Sequence, residues 1–375
     1  MGDEGKKRTP KQEQEDARTE VAEVAPNVLR MQLPISMPGL GHVNMYGLVD
    51  DRGVAIVDPG LPGPASWKAI EERLRSAELK VADVHSVIIT HSHPDHFGGV
   101  GKLVEESGAT DVITHSAFRS WWAPHSHDDA SEDGSHEIHD VHPDDLPPPR
   151  DQASSPWGGG ITPWGTKSNF KPPLKRRLQY RLMSSKLGRG QIQRRMAPPA
   201  PTVRLRHGDV IKLAGREWFA VHTPGHTLDH LCLHDPESGV VLSGDHVLPT
   251  ITPHISGMNS GRDPLGLFFE SLDRVAALEN VQQVLPAHGH PFADMAGRTE
   301  AIKEHHRERL LKLEAVASEM PQRRGTVEDF SRHLFRKERW GSMAESETYA
   351  HLEHLRLAGR AEVHDDHGVL IYQLG

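Results

Sequence analysis

The heptapeptide Thr90-His91-Ser92-His93-Pro94-Asp95-His96 sets three histidines and one aspartate directly after the apolar run Val87-Ile88-Ile89. Neutral imidazole and carboxylate are ligands for borderline and hard divalent cations, and both also carry protons. His91 and His93 stand two apart in an extended segment, so their side chains point the same way and can hold one cation. Pro94 then turns the chain, which lets Asp95 and His96 face a second cation beside the first. One cluster of this kind is also compatible with a polar turn, so the remaining ligands have to come from elsewhere in the chain.

Other apolar runs end in the same residue types. Gly53 to Val57 runs into Asp58-Pro59-Gly60, Glu217 to Val221 into His222-Thr223-Pro224-Gly225-His226, Val240 to Leu242 into Ser243-Gly244-Asp245-His246, and Val281 to Leu285 into Pro286-Ala287-His288-Gly289. In α/β sheets ligands gather beyond the carboxyl ends of strands, so these ends are expected to converge on one pocket. His226 would complete three histidines on the first cation, His288 would join Asp95 and His96 on the second, and Asp245 could bridge the two. Such a pair leaves positions for a shared water, whose deprotonated form is a nucleophile near neutral pH. Zinc is the expected metal, with iron or manganese compatible with the same nitrogen and oxygen donors. His230, four residues after His226, reads as a supporting donor or core histidine.

The positioning elements follow from periodicity. Strand signals at 45–49, 53–57, 87–89, 210–213, 217–221, 231–233 and 240–242 alternate with helical patterns at 65–74 and 98–105, which predicts an α/β layered fold. Residues 298–320, a helix capped by Thr326, a helix over 345–358 and a closing hairpin over 360–372 predict a small winged-helix-like module. The organisation expected is a disordered tail over 1–25, a main domain over 26–297 with an insertion at about 115–201, and the winged-helix-like domain over 298–375. Within the insertion, 125–145 is rich in His and Asp and reads as a solvated loop. The basic run 167–195 holds a possible amphipathic helix over 174–183, suited to covering the mouth of a site or to gripping phosphates.

Composition narrows the class further. The chain has 375 residues, 43 Lys and Arg against 52 Asp and Glu, 27 His and one Cys. An acidic balance does not favour nucleic acid as a partner, and the single Cys232 leaves no internal disulfide, which suits a cytoplasmic protein. No apolar run reaches the roughly 20 residues of a membrane-spanning helix, so no membrane partner is expected.

The set Asp58-Pro59-Gly60, Thr90 to His96, Thr223 to Thr227, Ser243-Gly244-Asp245 and His288-Gly289 resembles the metallo-β-lactamase-fold hydrolases, including glyoxalase-II-like thioesterases. That resemblance implies an αββα sandwich. It also implies His91, His93, Asp95, His96, His226, Asp245 and His288 as metal ligands, with Asp58 orienting the histidine loop beside Thr90. The cap domain of the nuclease branch has no room between Asp245 and His288. The C-terminal segment is similar to the winged helix of acyl-hydrolase and endoribonuclease relatives, and its mixed charge favours packing or homodimer formation over DNA reading. The expected activity is hydrolysis of a thioester, ester or lactone, on a small-molecule or acyl-carrier substrate. A bridging hydroxide would attack, with Asp95 orienting it or accepting its proton. The alternatives are an endoribonuclease using the same metals and a metal-binding regulator whose winged helix touches DNA.

Overall fold

The computed structural model describes residues 11–37, 39–108, 111–119, 161–166, 198–257 and 262–375. Strands β1 (Val21–Ala25), β2 (Val28–Met37), β3 (Leu40–Asp50), β4 (Gly53–Val57), β5 (Val84–Ile88), β6 (Asp111–His115) and β7 (Val203–Leu205) form one sheet in sequential order. Its first four strands are antiparallel. From β4 to β7 the pairing is parallel. Helices α1 (Pro64–Ser76), α2 (Pro94–Phe97) and α3 (Val100–Ser107) belong to this half. The second sheet holds β8 (Val210–Leu213), β9 (Arg216–His222), β10 (Leu231–Asp235), β11 (Val240–Gly244) and β12 (Gln283–Pro286), in reverse order, with α4 (Pro264–Ala276) crossing between β11 and β12.

Side-chain alternation assigns each strand face to a layer. In β4, Ala55 and Val57 join a core that both sheets share, while Val54 and Ile56 pack on the other side with Trp67, Ile70 and Leu74 of α1. In β9 to β11 the residues Trp218, Ala220, Leu231, Leu233, Val240 and Leu242 point into the shared core. Val221, Cys232 and Val241 turn instead toward Phe268 and Leu272 of α4. Helix, sheet, sheet, helix is therefore the layer order, the αββα sandwich that the resemblance implied. Trp218 is fully buried and donates its indole N–H to Leu213 O at 3.1 Å. Truncating such a side chain to alanine costs about 3–5 kcal/mol.

The C-terminal segment begins with α5 (Met295–Glu319), whose buried residues Met295, Thr299, Ile302, His306, Leu310, Leu313 and Ala317 recur every three or four positions. That stripe lies against α4 and the helices that follow. Next come β13 (Arg324–Thr326), α6 (Val327–Leu334), α7 (Ser342–Leu357), β14 (Ala361–Asp366) and β15 (Val369–Leu374), the strands ordered β13-β15-β14. Thr326 and Asp329 form a reciprocal capping box at the start of α6. Phe330, Leu352, Leu355 and Tyr372 belong to the same buried cluster as Val241, Phe268 and Val284. This segment therefore shares a core with the second sheet's helical layer.

Two sequence expectations need correction. The expected disordered tail over 1–25 fails for its described part: Gln12–Gln14 forms a short helical turn and β1 pairs with β2 as an edge strand. The charged composition concealed a buried anchor. Glu13 is fully buried, accepting from Thr250 N at 2.7 Å, Ile251 N at 3.0 Å and the Thr250 hydroxyl. The insertion is not wholly outside the core either. Trp164 is buried among the C-terminal residues, donates its indole N–H to Glu345 Oε2 at 3.1 Å, and its carbonyl accepts from Leu370 N. The His/Asp-rich stretch 125–145, the basic run 167–195 and the helix expected over 174–183 lie outside the described residues. Among the described residues no helix is long and apolar enough to cross a membrane.

Candidate metal centre

Five strand ends converge as expected. Beyond β4, Asp58 occupies the left-handed region at φ 53°, which an aspartate tolerates better than most residues. Its buried carboxylate accepts from Thr90 N at 2.9 Å, the Thr90 hydroxyl at 2.8 Å and Nδ1–H of His96 at 2.8 Å. The loop after β5 is thereby locked to the end of β4. Pro94 starts α2, which carries Asp95 and His96, and the His96 ring lies with its centroid 4.0 Å from that of His91. Beyond β9, Gly225 stands at φ 134°, and a Cβ there would lie 2.5 Å from Phe268. Only glycine lets this loop pass so close under α4 while presenting His226.

Two groups of donor atoms result: His91, His93, His226 and Asp245, then Asp95, His96 and His288. Nε2 of His91 and Nε2 of His226 approach Nδ1 of His93 at 2.9 and 3.1 Å. Asp245 faces both groups. Its Oδ2 is 3.6 Å from Nε2 of His226 and 3.6 Å from Nε2 of His96, and its Oδ1 is 3.2 Å from Nε2 of His288. Asp95 Oδ2 lies 3.6 Å from His288 Nε2 and 3.7 Å from His96 Nε2.

The outer ring nitrogens fix the tautomers. His91 Nδ1 lies 3.1 Å from the Thr90 hydroxyl oxygen, and Nδ1–H of His226 donates to His254 O at 2.7 Å. Nδ1–H of His288 donates to His42 O at 2.6 Å. With the proton held outside, the inner Nε2 presents its lone pair, as a metal ligand requires. Nε2 of His96, Nε2 of His288 and Oδ1 of Asp245 are buried without a hydrogen-bond partner among the described residues. Orphaned buried acceptors carry a desolvation cost that a cation would relieve, so the residues present fit divalent metal.

Electrostatics separate the groups. Burial holds His91 and His93 well below the ordinary imidazole value, and repulsion from neighbouring histidines adds to it, so both rings are neutral. Burial opposes the charge on His96 as well. There Asp58, Asp95 and Asp245 outweigh it and push the ring well above its ordinary value. His288 is raised against burial by Asp245 and Asp95. Asp245 is likewise held well below the carboxylate range, burial being overcome by His288 and His96.

Other histidines have different tasks. His230 accepts from Asp245 N at 3.0 Å through Nε2 and meets the Thr223 hydroxyl at 2.7 Å through Nδ1, so both nitrogens are engaged in holding the loops. His222 is buried, bonded to Leu228 O at 2.7 Å and stacked on His115 at 3.8 Å, and His246 is buried against Phe268. Sequence reasoning missed His42 and His254 as partners of His288 and His226. Both act through main-chain carbonyls, which leave no side-chain signature.

Two groups of imidazole and carboxylate donors thus lie beyond the strand ends of an αββα sandwich. The chain belongs to the metallo-beta-lactamase superfamily, whose family profile matches residues 38–316. It is 24% identical over 334 residues to the probable metallo-hydrolase YqjP of Bacillus subtilis, covering 87% of this chain and 91% of that one. It is 32% identical over 126 residues to the lactamase-like protein nscB of Trichophyton equinum, a match spanning 33% of this chain and 35% of that protein. The chain thus aligns with only about a third of the length of such lactamase-like relatives. Among solved structures it is similar to a metallo-beta-lactamase family protein from Thermus thermophilus, with TM-score 0.67, 27% identity and coverage of 94% and 100% of the two chains. A beta-lactamase domain protein from Burkholderia ambifaria matches with TM-score 0.67 and 25% identity, over 96% of this chain and 95% of that one.

Proposed function

We propose that this protein hydrolyses a carbonyl substrate, a thioester, ester or lactone, at a two-metal site held by His91, His93 and His226, by Asp95, His96 and His288, and by Asp245 between them. The observation that carries the reading is the position of Asp245, whose carboxylate reaches both donor groups: Oδ2 lies 3.6 Å from Nε2 of His226 and of His96, and Oδ1 lies 3.2 Å from Nε2 of His288. Bound divalent cations, zinc by the donor set, supply Lewis acidity and lower the pKa of water at the site. Two carboxylates among the seven donors leave a net positive centre when two such cations are present, which suits a substrate developing negative charge on oxygen.

The chain's own residues do the rest. Asp95 orients the attacking water and accepts its proton. Asp58 keeps His96 and the Thr90 loop in register, and the carbonyls of His42 and His254 keep His288 and His226 in their tautomers. Residues 298–375, read as a winged-helix-like module, serve as a packing element: α7 buries Ala344, Ala350, Leu352 and Leu355, the last three in the cluster that also holds Phe268.

A hydrolysis panel tests the reading. Acyl-thioesters, carboxylic esters, lactones, phosphodiesters and RNA are offered to protein loaded with zinc, manganese or iron. Turnover of one carbonyl class, insensitive to salt, is the expected outcome. Selective RNA cleavage that falls steeply with salt would overturn it.

A further inference from the structure

We propose that His254 is a substrate-contacting residue of this site and that Glu347 of α7 positions it, so that the C-terminal segment contributes directly to specificity. The inference rests on the hydrolase reading above. His254 lies on the loop that leaves β11 beyond Asp245, and its carbonyl accepts the Nδ1–H of His226, one hydrogen bond from the metal-ligating atoms. Its ring is near enough that a charge on it would oppose charging of His93 and of His226. Unlike the fully buried His91, His96 and His288, it keeps 22% of its side chain accessible.

The ring is held rather than loose. Its Nδ1 lies 3.3 Å from Oε2 of Glu347, and the other oxygen of that carboxylate is bound by the guanidinium of Arg309 from α5. Glu347 is buried, and its carboxyl lies far below the usual range: burial opposes ionisation, while Arg309 and His254 overcome it. The following residues are fastened to the same turn of α7. Gly257 N donates to the Ser346 hydroxyl at 3.1 Å and to Ser346 O at 3.2 Å, and the Ser256 and Ser346 hydroxyls meet at 3.3 Å. With Nδ1 facing a carboxylate, the second nitrogen, Nε2, is the polar atom of the ring left to meet a ligand. A histidine oriented by a buried carboxylate at the edge of a metal site is pre-organised to make one hydrogen bond to bound substrate.

The geometry separates ring from backbone, and the test uses that separation. His254→Ala keeps the carbonyl that orients His226, so its zinc affinity, measured by chelator competition, stays within about twofold of wild type, while KM rises about 10-fold at nearly constant kcat, the loss expected for one hydrogen bond. His254→Gln places an amide near Nε2 and recovers part of the KM. Glu347→Gln, which keeps an acceptor but removes the charge holding the ring, raises KM in the same direction. Equal falls of kcat and zinc content in His254→Ala, or kinetics identical to wild type in both His254 variants, would overturn the proposal. If no carbonyl compound is turned over by the zinc-loaded wild type, the hydrolase reading fails by itself. His254 is then judged by calorimetric binding of hexanoate, the product of hexanoyl ester cleavage: about 10-fold weaker binding in His254→Ala sustains the contact, and equal or absent binding in both proteins overturns it.

Discussion

Nδ1 of His96 lies 2.8 Å from Oδ2 of Asp58, and this contact joins the end of β4 to the loop after β5. The same carboxylate holds the backbone and hydroxyl of Thr90, so one residue sets the entrance and the exit of the histidine-bearing loop.

Asp58→Asn tests that relationship. The amide puts an N–H where a donor already points, so either Thr90 or His96 loses its acceptor. Metal affinity should fall by about 10–100-fold, the range for changes to groups that orient a ligand. Asp58→Ala should in addition lower stability by about 2–5 kcal/mol, because a buried hydrogen-bonded charge network loses its centre. Chelator competition and urea unfolding give the two numbers, and a variant with wild-type zinc affinity would contradict the role assigned to Asp58.

His93→Ala removes the imidazole that both His91 and His226 approach. The predicted result is a protein with an unchanged far-ultraviolet circular dichroism spectrum and loss of about one equivalent of bound metal. Activity should fall by more than the roughly 10–100-fold seen when only an orienting group is changed. Elemental analysis after gel filtration decides it; unchanged metal content would remove His93 from the ligand set.

Acid should weaken the C-terminal segment. Burial pushes His351 down to about 4, and His306, 3.0 Å from it, is also held well below its ordinary value, first by burial and then by His351. Glu347 raises both rings and Arg309 lowers both, while His354 adds repulsion to His351 and His305 to His306. A histidine whose folded value is depressed binds fewer protons when folded than unfolded. Stability is therefore full above about 6.5 and is lost as pH falls from there toward 4. For His351 the span from 6.5 to about 4, at about 1.4 kcal/mol per pH unit, corresponds to roughly 3 kcal/mol. Thermal melts across that window should shift downward, and His351→Gln should flatten the dependence. A parallel slope in the variant would show that the linkage lies elsewhere.

The N-terminal anchor gives a fourth test. Glu13→Ala leaves Thr250 N and Ile251 N without their buried acceptor, and such loss costs about 1–3 kcal/mol. Hydrogen exchange should quicken over 249–257, the loop that carries His254, while β10 and β11 keep their protection. Uniform acceleration through both sheets would indicate global loosening instead.

The layers and the donor types are legible in the order of the amino acids. Alternating apolar residues in β4, β9, β10 and β11 specify which side chain meets which core, because strand geometry fixes a period of two. The His-x-His spacing and the other strand-end motifs could be read in one dimension because each donor is a side chain within a few residues of the strand that aims it. Tertiary structure alone decided the contacts made at long range or through the backbone. His42 and His254 reach His288 and His226 through carbonyls that any residue possesses. Glu13 and Trp164, set in polar or irregular stretches, are buried by partners 237 and 181 residues away, which no local pattern encodes. The pairing of Glu347 with His254 is of the same kind, 93 residues apart, and it exists only because a shared apolar cluster brings the C-terminal helices against the second sheet's helical layer.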